Sequence, residues 1–414
     1  ATGDITALTA GTGVSITNPT GPVPTVAIDT AVTADLTTAQ TLTNKTLTSP
    51  VLTTPSISNI NAKGDILVGT ADNTLGVITA GSNGDILVVD SSTSSGLRYQ
   101  GNFTAGKNAI INGDMRIWQR GTTFNSIVNG GISADRWKIG RDGSNTINVT
   151  QQTFTPGAAP VAGYEGQFFA RASIASTGTL TFLQFSQCIE DVRNFAGQTI
   201  TVSFWAKGSA TATGLVYAAQ NFGSGGSATV EFGYPEFSLT TSWQRFTVQL
   251  TVPSVSGKTI GNSSFLEIYI RGGLTANGST YDIWGVQVEA GSVATAFETA
   301  TGTIGGELAL CQRYFEILDT VNQNDWIGDY YSTTNIYAPI FWKVTKRNTP
   351  TLTLPSVGSF IIWNAGASLT PSSVGTDTLT TNGGSIYGIT SARTAGSAGR
   401  FRLGSNTISV SAEL

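Results

Sequence analysis

Histidine is absent from this chain of 414 residues. Its absence removes the commonest general base, the Ser-His and Cys-His nucleophile pairs, and the imidazole ligands of a catalytic zinc. Two-carboxylate glycoside hydrolysis stays open, but with 26 Asp and Glu no spacing singles out one pair. Cysteine is nearly absent: Cys188 and Cys311 are too few and too far apart for a disulfide framework, and both read as small buried apolar residues. Charge is scarce. Asp, Glu, Lys and Arg form 12% of the chain, about half the usual share of roughly 25%, and no run of five basic residues occurs, so no nucleic-acid partner is expected. No apolar run approaches the roughly 18 residues of a membrane span, so no membrane insertion is expected. The opening ATGDITALTA lacks a basic start followed by an apolar stretch and reads as no intact secretory signal; a start at Ala1 fits loss of an initiator Met and a trimmed precursor equally.

Gly, Thr and Ser fill the space that charge leaves, and that composition favours strands and turns. The fold class expected is all-β, in three regions: 1–106, 107–302 and 303–414. The first 60 residues carry no aromatic and only four charges, Asp4, Asp29, Asp35 and Lys45. Such a segment buries too little apolar area alone to offset an ordering cost of roughly 1–2 kcal/mol per residue. Within it Leu42, Leu47, Leu52 and Ile57 recur every five residues, which fits neither a helix nor a half-buried strand. Either the segment is a Thr-rich flexible linker, or parallel copies stack those residues along a shared axis. A second repeat follows at an offset of twenty: KGDILVGTADNTLGVI (63–78) and NGDILVVDSSTSSGLRY (83–99). Each copy reads as a turn, a buried strand, a polar loop and a second strand. One Asp per copy is too few oxygens for calcium, so Asp65 and Asp85 are read as turn hydrogen-bonders.

From about Lys107 the pattern becomes strict alternation. Val202, Phe204 and Ala206 share one face; so do Phe246, Val248, Leu250 and Val252, and Leu266, Ile268 and Ile270. These are half-buried antiparallel strands, and about 195 residues of them indicate a β-sandwich or jelly roll. Near Glu307 a short helix-competent turn leads into a strand. IYAPIFWKV, TPTLTL, GSFIIW, GSIYGIT, GRFRLG and NTISVSAEL then predict a second, smaller β-sandwich.

The stretch TLTNKTLTSPVLTTPSI and the GDILV repeats resemble the stalk segments of bacteriophage tail fibres. NAIINGDMRIWQRGTTF, SADRWKI, CIEDVRNFAGQTITVSFWAKG, TSWQRFTVQLTVPSVSGKTIG and WGVQVEAGSVATAFE, followed by ELALCQRYFEI, resemble the carbohydrate-binding-type jelly roll of such fibres and its junction. These motifs touch most of the first 320 residues; the last ninety or so carry little that matches. The resemblance implies an intertwined trimeric N-terminal stalk, then a jelly-roll β-sandwich, then a smaller C-terminal β-sandwich. It implies a homotrimer in the virion, held by a phage tail or baseplate protein at its N-terminus and recognising host surface polysaccharide during adsorption. No enzymatic activity and no cofactor are expected. A tailspike-like polysaccharide depolymerase and a purely structural fibre spacer are the alternatives.

Glycan recognition needs aromatic faces for sugar C–H surfaces and planar polar groups for hydroxyls. In the middle region Trp205, Lys207, Arg245, Glu267, Tyr269 and Arg271 point outward and form one patch if their strands are neighbours; the competing expectation is that they pack against a loop or another subunit. Asp114 and Glu289 are candidates for a structural calcium that jelly rolls of this type sometimes hold, although no motif singles them out and no metal is assigned. In the last region Trp326, Tyr330, Tyr331, Tyr337, Phe341 and Trp342 cluster; NQNDWIGDYYSTTN reads as a distal binding loop offering Trp326, Tyr330 and Tyr331, and Trp342 of the same cluster is a further candidate. Against this, half of those rings are equally suited to fill the small core. Lys343, Lys346 and Arg347 read as a contact for anionic polysaccharide or as a solvated strand end.

Overall fold

Thr-, Val- and Gly-rich segments punctuated by turn residues fold here almost wholly as antiparallel strands. The computed structural model describes residues 8–17, 19, 25–28, 60–72, 74–81, 85–101, 107–161, 164–176, 178–319, 325–404 and 406–414. Leu42, Leu47, Leu52 and Ile57, with their five-residue spacing, lie outside the described residues. The chain divides into two compact units, 1–67 and 68–414. The first contains a hairpin of β1 (Val14–Thr17) and β2 (Thr25–Ile28), with Val14 opposite Ile28.

Each copy of the twenty-residue repeat folds as a two-stranded hairpin: β3 (Ile66–Ala71) with β4 (Thr74–Ile78), and β5 (Asp85–Val89) with β6 (Leu97–Gly101). Asp65 plays its expected turn role, its carboxylate accepting from the amide of Ala62 at 2.9 Å. The expected burial of the leading strands does not hold within the chain. Ile66, Ile86, Leu87 and Val89 are exposed, as is Leu75 of β4, because a two-stranded ribbon has no second layer to cover its apolar face.

The middle sandwich follows. Its strands are β7 (Thr123–Phe124), β8 (Gly131–Ile132), β9 (Lys138–Arg141), β10 (Ile147–Thr153), β11 (Phe168–Ile174), β12 (Leu183–Glu190), β13 (Thr199–Gly208), β14 (Ala212–Asn221), β15 (Val230–Leu239), β16 (Gln244–Thr251), β17 (Phe265–Arg271) and β18 (Thr280–Ala290). They form two six-stranded sheets, ordered β16-β13-β18-β11-β10-β7 and β15-β14-β17-β12-β9-β8. The chain crosses repeatedly between the two sheets, as in a jelly roll. The alternating residues read from sequence meet between the sheets: Val202, Phe204, Val248, Leu250, Leu266, Ile268 and Ile270 belong to one buried cluster. A second apolar layer lies on the far side of the first sheet, where Phe154, Phe169, Trp205, Trp284 and Phe297 pack together.

Helix α1 (Ile304–Gln312) starts on Thr303, whose side chain accepts from the Gly306 amide. Its buried Glu307 reaches back into the middle sandwich, accepting from the amides of Asn112 and Thr301 at 2.8 Å each. Beyond it come β19 (Phe315–Asp319), β20 (Asp325–Tyr330), β21 (Asn335–Phe341), β22 (Thr351–Thr353), β23 (Phe360–Asn364), β24 (Ala367–Leu369), β25 (Ser373–Asp377), β26 (Gly383–Ile389), β27 (Ala398–Leu403) and β28 (Ile408–Ser411). A three-stranded sheet, β19-β28-β22, and a seven-stranded one, β24-β23-β27-β20-β21-β26-β25, enclose a core of Tyr330, Ile336, Ile340, Phe360, Phe401 and Val410 among others. Of the segment read as a distal binding loop, Asp325–Tyr330 is strand β20 in the middle of the larger sheet, Tyr331 to Thr334 do form the bend into β21, and 322–324 lie outside the described residues. Asp325, Ile327 and Asp329 alternate with Trp326, Gly328 and Tyr330, and the two aspartates of that outward half are what resembled a loop.

The two sandwiches are tied together near the last residue. Glu413 receives Arg120 at 3.0 Å and also pairs with Arg136, while those guanidinium groups stack on Phe315 at 3.5 Å and Tyr314 at 3.4 Å. Cys188 and Cys311 are free and buried, as expected; burial pushes the Cys188 thiol up to about 11.

Candidate functional site

The strands β15, β14, β17 and β12 turn one side to the core, so their alternate residues line the outer face of the second sheet. On β14, Val216 and Ala218 point inward and Tyr217 outward; on β17, Ile268 points inward and Tyr269 outward. The register sets Tyr217 directly opposite Tyr269, and Gly233 of β15 opposite Tyr217 on its other side. Neighbouring strands lie about 4.8 Å apart, which is also a ring-stacking distance. Tyr217 and Tyr269 stack at 4.4 Å and 4°, and Tyr234 stacks on Tyr217 at 5.3 Å and 13°. Three tyrosines thus form one ladder across three strands.

The end of the ladder is set by a bulge. The β14–β15 register shifts between Leu215 and Tyr217, and on the facing strand Gly233 has φ 80° and Tyr234 φ 128°. A non-glycine residue in that region is held at a cost of about 1–3 kcal/mol, and such strain concentrates where a side chain is presented for use. Tyr234 is 50% exposed; with one face on Tyr217, its other face is open.

Planar polar groups surround the rings. Gln184 donates to Tyr217 Oη at 3.0 Å, and Arg271 reaches Gln184 Oε1 at 3.3 Å while lying over Phe182 at 4.7 Å. Tyr269 Oη donates to Glu267 Oε2 at 2.7 Å, and Ser186 Oγ donates to Glu267 Oε1 at 2.8 Å. Tyr234 Oη donates to Glu231 at 3.0 Å. Burial, reinforced by the Glu267 carboxylate, lifts the Tyr269 phenol far above its ordinary range, so it stays a neutral donor. Gln184 and Glu267 are buried beneath the rings and hold them in place, while Arg271 and Glu231 stay accessible beside the open aromatic ring.

The patch expected from sequence is split. Glu267, Tyr269 and Arg271 belong to this face, but Trp205, Lys207 and Arg245 lie on the first sheet, since β13 and β16 pair with one another and not with β17. Strand alternation tells inward from outward but not which sheet a strand joins. Trp205 is outward yet only 6% exposed, packed against Trp284 at 5.4 Å and Phe297 at 6.0 Å. Arg245 lies over Trp205 at 4.7 Å and donates to the carbonyl of Thr295. These two residues hold down the covering segment, the packing role weighed against glycan contact. Tyr217, Tyr234 and Gln184 were not singled out from sequence. GLVYAAQ carries the alternation that places Tyr217, and Gly-Tyr-Pro inside a strand is a bulge signal.

In the distal sandwich the four expected rings separate. Tyr330 is core, its hydroxyl 3.0 Å from Thr390 Oγ1; Trp342 is buried and donates to the carbonyl of Thr380 at 2.9 Å. Trp326 leans on the core half-buried. Tyr331 is 80% exposed, edge-on to Tyr337. The expected Lys343–Lys346–Arg347 surface contact does not form: Lys346 is fully buried against Glu316 at 3.2 Å, and Arg347 turns to Glu190 at 3.6 Å. Asp114 and Glu289 have separate partners, Tyr164 for the first and Lys107 with Thr295 for the second. Among the described residues no group of three acids or cysteines is placed to hold a metal ion.

No protein-family model matches the chain, and no curated protein matches it. Among solved structures it is similar to one described as "CBM4 structure and function", at 21% identity and TM-score 0.27, over 44% of this chain and 98% of that one. It is also similar to the CBM22-1 xylan-binding domain of Paenibacillus barcinonensis Xyn10C, at 15% identity and TM-score 0.27, over 47% of this chain and 100% of that one. A third is the enzymatically active domain of tailspike protein 4 of bacteriophage CBA120, at 16% identity and TM-score 0.29, over 44% of this chain and 21% of that one, so this chain spans about a fifth of that structure.

Proposed function

We propose that this chain is a glycan-recognising fibre protein of a phage tail, acting without enzymatic activity during adsorption of the virion to its host. The observation that carries the recognition step is Tyr234, held in strained backbone so that its outer face stays open at the end of a tyrosine ladder. An open ring takes the C–H face of a sugar, while Arg271 and Glu231, which stay accessible beside the rings, are the planar partners that hydroxyls require. Full-length protein on an array of bacterial surface polysaccharides is expected to retain at least one, and Tyr234→Ala to weaken that capture tenfold or more, the scale of a lost aromatic anchor. Retention unchanged in Tyr234→Ala contradicts the assignment, and shortening of the captured polymer favours the depolymerase alternative.

The fibre part of the proposal is supported by the stalk-like sequence motifs and by exposed Ile66, Leu75, Ile86, Leu87 and Val89, which strands of sister copies are suited to cover. On this reading the partners are two further copies, a tail or baseplate protein and the host polysaccharide. The purified chain is expected to have a native mass of about three times 43.1 kDa. A native mass of one chain contradicts the trimer.

A further inference from the structure

The outer face of the seven-stranded sheet in the distal sandwich carries a groove at the place where its ladder parts. β23 and β27 pair from Phe360–Leu403 as far as Trp363–Arg400. Beyond that the Asn364 amide spans the gap, donating to the carbonyl of Ala398 at 2.7 Å and to Ser397 Oγ at 3.1 Å. Ala365 and Gly366, both at positive φ, then turn the chain into β24. The opening measures about 360 Å³, close to the lower end of small-ligand sites, which run from about 300 to 1,000 Å³. Small residues at Ala398, Gly399 and Gly366 leave it open; Trp363, Ile327 and Arg400 are its large side chains.

Three features define what fits. Trp363 is half-buried and lines the opening as its aromatic surface. Ile327 is 63% exposed in mid-sheet, opposite Arg400, an apolar surface beside the indole. Arg400 lies 5.4 Å over the Trp363 ring and is fixed by Asp325 at 3.0 Å; Asp325 also takes Arg402 at 2.7 Å. Arg400 and Arg402 share this face of the sheet with Asp325 and Asp329, so the formal charges balance, which suits a neutral ligand rather than a polyanion. We propose that this groove is a second saccharide subsite that takes one pyranose ring. Its C–H face rests on Trp363 and Ile327, and its oxygens accept from Arg400. The subsite is on a different sandwich from the tyrosine ladder and stands or falls separately.

Full-length protein labelled with 5-fluorotryptophan gives eight fluorine resonances, one per Trp, and Trp363→Phe identifies the relevant one. The probes are the methyl glycosides of glucose, galactose, mannose, N-acetylglucosamine and rhamnose. At least one is expected to shift the Trp363 resonance to saturation. Ile327→Glu, a change at an exposed position, is expected to abolish that shift while the other seven resonances keep their wild-type positions. Tyr234→Ala is expected to leave it intact. A Trp363 resonance unmoved by all five probes overturns the proposal, as does a shift that survives in Ile327→Glu. If the array binding through Tyr234 persists while Trp363 stays silent, the second subsite fails alone.

Discussion

Replacing Lys346 by Ala is expected to destabilise the distal sandwich by about 3–5 kcal/mol, the cost of leaving a buried charge without its partner. Lys346 and Glu316 are both fully buried, 3.2 Å apart. The ammonium also donates to the carbonyl of Gln312 at the end of α1, and Glu316 accepts from the Lys343 amide at 3.1 Å. Burial pulls the lysine below its ordinary value while Glu316 pushes back. Glu316→Ala strands the lysine and is expected to cost a similar amount. The double substitution Lys346→Met with Glu316→Leu removes both charges and is expected to come within about 2 kcal/mol of the parent chain, since buried pairs and apolar replacements of similar volume are often near equal. Urea unfolding monitored on the distal sandwich reads all three. A Lys346→Ala chain within 1 kcal/mol of the parent would show that water reaches the pair.

A second large effect is expected from Asp114. Burial, helped by the nearby Glu307 carboxylate, raises Asp114 to about 6, and burial alone is the largest influence that raises Asp135 to about 6. Asp114 Oδ2 accepts from Tyr164 at 3.3 Å, whereas Oδ1 has no partner among the described residues. A carboxyl whose folded value lies above its unfolded value binds its proton more tightly in the folded state. Stability therefore falls as pH rises from about 4 to about 6, and the loss is complete above that range. The shift corresponds to about 2–3 kcal/mol for Asp114. Asp114→Asn keeps the shape and drops the charge. At pH 8 it is expected to unfold at higher denaturant than the parent by that amount; at pH 4 the two should coincide. Equal stability of the two chains at pH 8 would contradict the burial argument.

The sandwich architecture was legible because its signal is local. Val202, Phe204 and Ala206 repeat at the period of a strand, and they sit in the core as that period requires. The helix-to-strand passage at Ile304–Asp319 was legible for the same reason. What escaped depends on contacts distant in sequence. Trp205 looked exposed because alternation cannot report that Phe297, about ninety residues on, will cover it. Lys346 looked solvated because its partner Glu316 lies thirty positions earlier. Of the candidate glycan face, Glu267, Tyr269 and Arg271 were read correctly as outward neighbours on one strand, but pairing with β14 and β15 brought in Tyr217 and Tyr234. Strand order across a sheet is not written in any one segment.

Glycan contact at the ladder is measured most directly by ring resonances of selectively labelled tyrosines, recorded while the captured oligosaccharide is titrated into the full chain. Tyr234, Tyr217 and Tyr269 are expected to shift together to saturation, with Tyr234 moving most, and Tyr234→Gly is expected to abolish the response while changing stability by no more than about 1–3 kcal/mol, because glycine relieves the strain as the ring contact is lost. Saturable binding that leaves all three rings unmoved would contradict the account.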